Sequence, residues 1–221
     1  MAAASALLLA GCNKTQPAPA TEVAPKTTLA TPSAAKSKAA KYSGPFGLAK
    51  GISADELTGA LKFKAIANNP DLYEGKPPNE VNGFESYIVI ATPKAGLCRI
   101  VVNTPDEVAN GSGDQAKQAV DRLADSLKLK YGDRPNKTDY VGTGVYKRNP
   151  EFWMMGRTED SVFYAYAWES KGDAVLPNDL RSVEVSAQAS NISKSYAKIV
   201  YTFSNFDECV AEMKASKAQN L

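Results

Sequence analysis

Cys12 is the residue whose surroundings most clearly indicate a chemical reaction. It follows Leu9-Ala10-Gly11 at the end of a short apolar run that begins at Ala6. Small residues directly before a cysteine, after an apolar segment, form the lipobox of bacterial lipoproteins, where a signal peptidase cleaves and the new N-terminal cysteine is acylated. We therefore expect residues 1–11 to be a signal peptide and Cys12 to carry the lipid. The alternative is a chance Ala/Leu-rich N-terminus of a cytosolic protein.

The expected signal segment has no positively charged beginning. Secretory signals open with basic residues before an apolar stretch of roughly 7–15 residues, and no Lys or Arg precedes Cys12. We expect the natural start to lie upstream. No later stretch approaches the roughly 20 apolar residues of a membrane span, so the sequence predicts a lipid anchor in the bilayer. Asn13 stands where Asp would retain a lipoprotein at the inner membrane, which favours the periplasmic face of the outer membrane.

Cys98 and Cys209 remain as an even pair of thiols. In an oxidising periplasm two such thiols are natural disulfide partners. Cys98 falls within a strand-like run and Cys209 in the first turn of an expected C-terminal helix. The alternative is two separate buried thiols, because a free cysteine packs as a small apolar side chain. A bridge would close a loop of roughly 110 residues and stabilise the fold by about 4 kcal/mol if chain entropy is the main effect.

The residue types needed for most catalysis are missing from the chain. It contains no histidine, which removes the commonest general base and the Ser/His and Cys/His nucleophile pairs. No phosphate-binding glycine loop or calcium loop stands in the sequence, so we expect no metal and no cofactor. A carboxylate-based cell-wall hydrolase needs only two acids, and Glu151, Glu159 and Asp160 lie near aromatic residues. Ordinary surface charges are the favoured interpretation of these three acids.

Aromatic residues concentrate in the run from Phe152 to Trp168. Because alternate strand residues point to opposite faces, Tyr164, Tyr166 and Trp168 share one face of an expected strand. With Trp153 they are candidates for a recognition surface, since Tyr, Trp and Met are enriched at protein interfaces. The alternative, which we favour, is that helices, the tether or a long loop cover these side chains as part of the core.

Residues 12–42 read as a disordered tether that follows the acylated cysteine. The segment is rich in Ala, Thr, Pro, Lys and Ser, so it cannot bury enough apolar surface to offset the entropy of ordering it. It holds five of the 26 basic residues and one of the 24 acidic ones, which leaves 21 against 23 in the remainder. The folded part is therefore near −2, and nucleic acid is not an expected partner.

Residues 43–221 have the composition of one globular domain with several helices. Ser53 and Glu56 form a capping box for a first helix. Residues 114–131 repeat apolar side chains at helical spacing, with Gly132 placed to end the helix. Asn205 with Glu208 predicts the cap of a last short helix.

Strand signals fill most of the remaining domain. Residues 84–91 and 97–102 predict an antiparallel hairpin, and 69–83 predicts a long loop. Five further strands are expected, at 144–148, 152–157, 162–169, 180–189 and 194–203. Consecutive strands with short links favour an α+β fold, a single domain in which about three helices pack on an antiparallel sheet.

The opening of the domain, Pro45–Leu57, resembles envelope lipoproteins. In the SmpA/OmlA type, a small partner of the outer-membrane protein assembly machine, a similar segment to Gly51–Leu57 starts a helix, and beta-lactamase-inhibitor-like domains use the same element before their strands. Residues 96–100 and 131–135 are further family-like segments found in proteobacterial lipoproteins. The domain is longer than the SmpA/OmlA type. The resemblance implies a non-enzymatic envelope role and carries over no binding residues.

The sequence therefore favours a periplasm-facing lipoprotein that binds another envelope protein, as an inhibitor or immunity factor. The missing catalytic residue types, the tether and the aromatic strands support this expectation. The alternatives are an assembly or structural lipoprotein of the outer membrane and, with least support, the carboxylate-based hydrolase.

Overall fold

The computed structural model describes residues 42–133, 135–142 and 144–219. Cys12, the predicted signal peptide 1–11 and, except for Tyr42, the predicted tether 12–42 lie outside these residues. The strands are β1 Lys64–Ile66, β2 Asn69–Glu74, β3 Ser86–Thr92, β4 Gly96–Asn103, β5 Glu107–Val108, β6 Asn136–Val141, β7 Val162–Glu169, β8 Leu180–Asn191 and β9 Lys194–Phe203. The helices are α1 Ala54–Gly59, α2 Asp114–Tyr131, α3 Val145–Arg148, α4 Trp153–Thr158 and α5 Phe206–Gln219.

The strands form one antiparallel sheet in the order β1-β2-β3-β4-β9-β8-β7-β6, and the short β5 also pairs with β9. Apart from β5, strands that are neighbours in the sheet also follow one another in the chain, except where β4 meets β9, and the connection from β6 to β7 contains α3 and α4. The described residues hold five helices rather than the expected three or so. The predicted α+β class with an antiparallel sheet is confirmed.

One side of the sheet, the covered face, carries the hydrophobic core. Register places Ile100 beside Tyr201, and Tyr201 beside Val183 on the next strand. Helix α2 packs on this face over β7, β8 and β9. Its buried residues recur every three or four positions: Ala116, Val120, Ala124 and Leu127. This spacing puts one apolar stripe of the helix against the sheet.

The other side, the open face, is only partly covered. Its central side chains in β4, β8 and β9 are half-buried and include Arg99, Glu184 and Lys198. Helix α5 lies over the β3–β4 end, where the Glu212 carboxylate accepts hydrogen bonds from the backbone N–H groups of Lys94 and Ala95, at 3.0 and 2.8 Å. Helix α4 packs near the opposite end of β8.

Two runs that the sequence predicts as strands are helices. Residues 145–148 form α3, and the predicted strand 152–157 completes a 3-10 turn at Phe152 before α4. In the second run Trp153, Met154 and Gly156 are buried while Phe152 and Met155 are exposed. This pattern has a helical period rather than the two-residue period of a strand, and the aromatic residues concealed it.

Four strands escaped prediction: the two-residue β5, which pairs with β9, and three strands near the edges of the sheet. Strand β2 occupies the first part of the predicted loop 69–83, while β1 and β6 form the two ends of the sheet. Every residue of β6 is exposed. An edge strand without a buried face lacks the apolar alternation by which strands are recognised.

The first and the last helix both begin where the sequence predicts, but only the first has the predicted side-chain cap. Ser53 Oγ accepts a hydrogen bond from the Glu56 backbone N–H at 3.2 Å, as expected of a cap. Asn205 instead turns its side chain away from α5, and its Nδ2 donates to the carbonyls of Ala95 and Leu97. The Asn205 side-chain amide therefore binds the β3–β4 turn, whereas the sequence predicted that it caps α5.

Two of the segments that carry the family resemblance lie side by side. The Gly51 N–H donates to the Leu97 carbonyl, and the Leu97 N–H donates to the Ile52 carbonyl, both at 2.8 Å. At Gly96 an added Cβ would come within 2.5 Å of the Gly51 carbonyl oxygen, and its φ is +66°. Glycine at position 96 permits this approach because it lacks a Cβ and adopts positive φ without strain.

Candidate functional site

The four aromatic residues proposed as a recognition surface lie mostly in the core. Trp153, Tyr164 and Trp168 are 2%, 4% and 4% exposed, and Tyr166 is half-buried against the core. Trp153 packs where α4 meets the N-terminus of α2, so tightly that a Cβ on Gly113 would overlap its ring. The other three lie on the covered face of β7. The prediction that these four residues form an exposed recognition surface is therefore wrong, and the favoured alternative, that they belong to the core, agrees with their burial.

Helix α2 buries the aromatic residues of β7, because it covers their rings and also contacts their polar ends. Asp121 on α2 accepts hydrogen bonds from the hydroxyls of Tyr164 and Tyr166, at 2.7 and 2.8 Å. Trp168 Nε1 donates to the carbonyl of Gly132, just after α2, at 2.8 Å. Buried polar groups need such partners. Tyr164, Tyr166 and Trp168 are therefore satisfied members of a structural interface between helix and sheet, whereas Trp153 Nε1 is buried without a partner among the described residues.

The three acids considered for hydrolysis do not converge on a cleft. Glu151, Glu159 and Asp160 are exposed. Glu159 accepts a hydrogen bond from the Tyr146 hydroxyl, and Asp160 forms a 2.9 Å ion pair with the buried Arg157. Within the described part of the chain, no group of three or more Asp, Glu or Cys side chains is arranged to hold a metal. None of the helices in that part has the length and apolarity to cross a membrane.

The two core cysteines lie together and tie α5 to the sheet. Cys98 on β4 and Cys209 on α5 form a disulfide, with 2.14 Å between the sulfurs and 6.5 Å between the Cα atoms. Both residues are fully buried. The bridge holds the start of α5 above the open face, next to Arg99.

The β6 edge of the sheet, opposite the end formed by the three-residue β1, is the first surface that could bind another molecule. Strand β6 pairs with β7 on one side, from Asn136 opposite Ala167 to Val141 opposite Val162. No described strand pairs with its other side. Such an edge presents a row of unpaired backbone N–H and C=O groups.

Exposed apolar side chains follow this edge along the chain. Among the described residues ten large apolar side chains are exposed, and five of them fall between residues 140 and 155. They are Tyr140, Val141, Val145, Phe152 and Met155, which we call the edge patch. Tyr140 and Val141 belong to β6 itself, and the other three residues of the edge patch follow it in the chain.

The second surface is a groove of about 430 Å³ on the open face, at the α5 end. Register aligns Arg99, Thr202, Ser182 and Glu169 in one row across β4, β9, β8 and β7. Phe206 and Asp207 of α5 also line the groove, together with Lys171 and with Arg181, which pairs with Asp207. We call this the Arg99 groove.

Arg99 is held in an uncommon state within this groove. Its guanidinium carbon lies 3.7 Å from the centroid of the Phe206 ring, a cation–π stack. Its Nε is buried without a hydrogen-bond partner among the described residues. Burial lowers the pKa of the Arg99 guanidinium from its ordinary value, an effect that the nearby Glu184 opposes. The side chain is thus a partly desolvated cation.

Sequence reasoning passed over Arg99, although one signal was present. A charged residue between Cys98 and Ile100 marks the face of β4 that points away from the core. The stacking with Phe206 joins residues 107 positions apart and could not be read from the chain.

Comparisons with known proteins add no relative to this description. No family model, no curated protein and no solved structure matches the chain.

Proposed function

We propose that the protein is a non-enzymatic, periplasm-facing lipoprotein, anchored at the outer membrane through acylated Cys12, that binds another envelope protein. The observation that carries the proposal is the free edge of β6 beside the edge patch. The lipobox and the absence of histidine from the sequence support the address and the non-enzymatic role. An inhibitor or immunity factor is the kind of binding protein that we propose.

The edge of β6 supports binding by strand addition. An extended segment of a partner can pair with an exposed edge, where backbone hydrogen bonds supply affinity and neighbouring side-chain contacts supply specificity. Lys137 and Asp139 place charges on β6, and charges on an edge strand hinder unselective pairing with other edges. A partner must therefore match these charges as well as the backbone.

The edge patch supports a contact beyond the strand. Phe152 and Met155 are 40% and 41% exposed and lie three positions apart, on one side of a helical turn. Aromatic and methionine side chains are enriched in protein interfaces. The buried neighbours Trp153 and Met154 fix this turn on the core, so the exposed pair is presented by a rigid element.

Photocrosslinking from the edge patch tests the proposal in living cells. A photoreactive amino acid replaces Tyr140 or Phe152 in the full, lipid-modified chain, and Leu129, which is 91% exposed on α2, serves as the matched control. We expect one protein to crosslink from the first two positions and not from the control. Met155→Glu should lower this yield about tenfold, corresponding to about 1.4 kcal/mol, and Leu129→Glu should leave it unchanged.

Hydrogen exchange then separates strand addition from a simple surface contact. The amides of β6 that point away from β7 should exchange rapidly in the free chain and slow down when the captured partner is added. Equal crosslinking from Leu129, or β6 amides whose exchange the partner leaves unchanged, would contradict the proposed mode of binding.

A further inference from the structure

The Arg99 guanidinium lines the Arg99 groove and makes no hydrogen bond with any described residue. Its Nε is buried, so the donors open to a ligand are those of the terminal Nη1 and Nη2 atoms. The structure also gives the Arg99 guanidinium no ion pair within that part of the chain. We propose that the groove binds the carboxylate group of a small organic acid, with Arg99 as its bidentate partner. This site is independent of the β6 edge.

The stacking geometry suits a carboxylate. A guanidinium that lies flat on an aromatic ring keeps its N–H donors in its own plane, so a carboxylate can approach from the side and accept two parallel hydrogen bonds. The Arg99 guanidinium carbon lies 3.7 Å from the Phe206 ring centroid, a distance that suits such a stack. The groove is lined next to Arg99 by Thr202 and Ser182, whose hydroxyls are further donors for the ligand.

The disulfide preorganises this arrangement. Arg99 directly follows Cys98 on β4, and Phe206 precedes Cys209 by three positions on α5. The covalent link therefore fixes the two elements that hold the stacked pair. A preorganised side chain loses little conformational freedom on binding, which favours affinity for a small ligand.

The charges of the groove leave room for one negative group. Its lining holds three cations, Arg99, Lys171 and Arg181, and two carboxylates, Glu169 and Asp207. Glu184 and Lys198, which also act on Arg99, add one charge of each sign and leave the balance unchanged. Arg181 and Asp207 form an ion pair at 2.7 Å. A monocarboxylate would therefore bring the lining to neutrality, whereas a phosphate dianion would leave an excess negative charge. The volume of about 430 Å³ lies in the range of small-molecule sites.

NMR titration with three simple probes tests the site. The full chain is produced with Cys12→Ser to prevent acylation, and N-acetylglycine, its neutral amide N-acetylglycinamide and inorganic phosphate are added separately. We expect N-acetylglycine to cause saturable shifts of the backbone amides of Arg99, Ser182, Thr202 and Phe206. The neutral amide and phosphate should bind at least tenfold more weakly.

Substitutions then assign the effect to the guanidinium. Arg99→Gln should abolish the shifts. Arg99→Lys, which keeps the charge and the apolar stem, should weaken binding about tenfold because Lys lacks the planar fork. Arg122→Gln, at a side chain that is 65% exposed on α2, is the matched control and should bind as the unmodified chain does. The dispersion of the NMR signals shows whether each variant is folded. If Arg99→Gln does not fold, the comparison of Arg99→Lys with the unmodified protein tests the proposal.

Several results would overturn the proposal. The neutral amide could shift the same amides equally, which would remove the role of charge. Phosphate could bind as tightly as N-acetylglycine, which would indicate an unselective anion site only. Undiminished binding by Arg99→Lys, or no saturable shift with any of the three probes, would equally contradict it.

Discussion

Replacing Trp168 by alanine distinguishes a core cluster from a recognition surface. The side chain is 4% exposed, contacts the Tyr131 ring at 6.4 Å between centroids and donates from Nε1 to the Gly132 carbonyl at 2.8 Å. Substitution of a buried Trp by Ala typically costs about 3–5 kcal/mol. For a domain of this size each kcal/mol lowers Tm by about 2–4 °C, so we expect a decrease of roughly 6–20 °C.

Matched variants divide this loss into its parts. Trp168→Phe keeps most of the packing and loses the indole donor, so we expect a decrease of about 1–2 kcal/mol in the free energy of unfolding. Phe152→Ala, at a residue that is 40% exposed, should change stability by less than about 1 kcal/mol. Urea unfolding followed by circular dichroism gives all three values without depending on Trp fluorescence. A loss below about 1 kcal/mol for Trp168→Ala would refute the assignment of this residue to the core.

The remaining predictions concern the disulfide and the buried tyrosines. Replacing Cys98 and Cys209 together by Ala opens a loop with a sequence separation of 111, and urea unfolding should show that the free energy of unfolding falls by about 4–5 kcal/mol. A fall below about 1 kcal/mol would show that the bridge does not stabilise the fold by restricting the unfolded chain. Burial raises the pKa of Tyr131 to about 12, so the stability due to its neutral form is complete below pH 10 and is lost as the pH rises from about 10 to 12. Burial also raises the pKa of Tyr164 and Tyr201, so Tyr131→Phe should reduce this alkaline loss without removing it. Near pH 7 the urea midpoint of Tyr131→Phe should be at least as high as that of the unmodified protein, because the Tyr131 hydroxyl has no partner among the described residues. If stability depends on pH identically in the variant and in the unmodified protein, the prediction is contradicted.

The two candidate binding surfaces use different physical means and can be separated experimentally. The β6 edge and its patch offer backbone groups and apolar side chains, so mutations there should alter binding of a protein. The Arg99 groove offers a desolvated cation, so Arg99→Lys should alter binding of a small acid and leave crosslinking from Phe152 intact. Loss of both activities in one surface variant would indicate that a single ligand spans the molecule.

Much of the fold could be predicted where one face of an element is buried. The spacing of apolar residues in α2 and the hairpin of β3 and β4 were recognised because burial imposes a period of 3.6 or 2 residues. The structure gives β6 no buried residue and gives α4 a buried Trp-Met pair in a single helical turn. Neither a uniformly exposed strand nor a turn of six residues carries enough repeats to define a period.

The candidate sites show the same division between local and distant contacts. By itself the sequence determined the even pair of core cysteines, the absence of histidine and the α+β class, because residue type and short-range periodicity are sufficient for these. The lipobox at Cys12 stays a prediction from the sequence. Only the tertiary structure decided that α2 covers Tyr164 and Trp168, that β6 ends the sheet and that Phe206 stacks on Arg99. Each of these joins segments that are far apart in the chain, and their contact depends on how the sheet orders its strands.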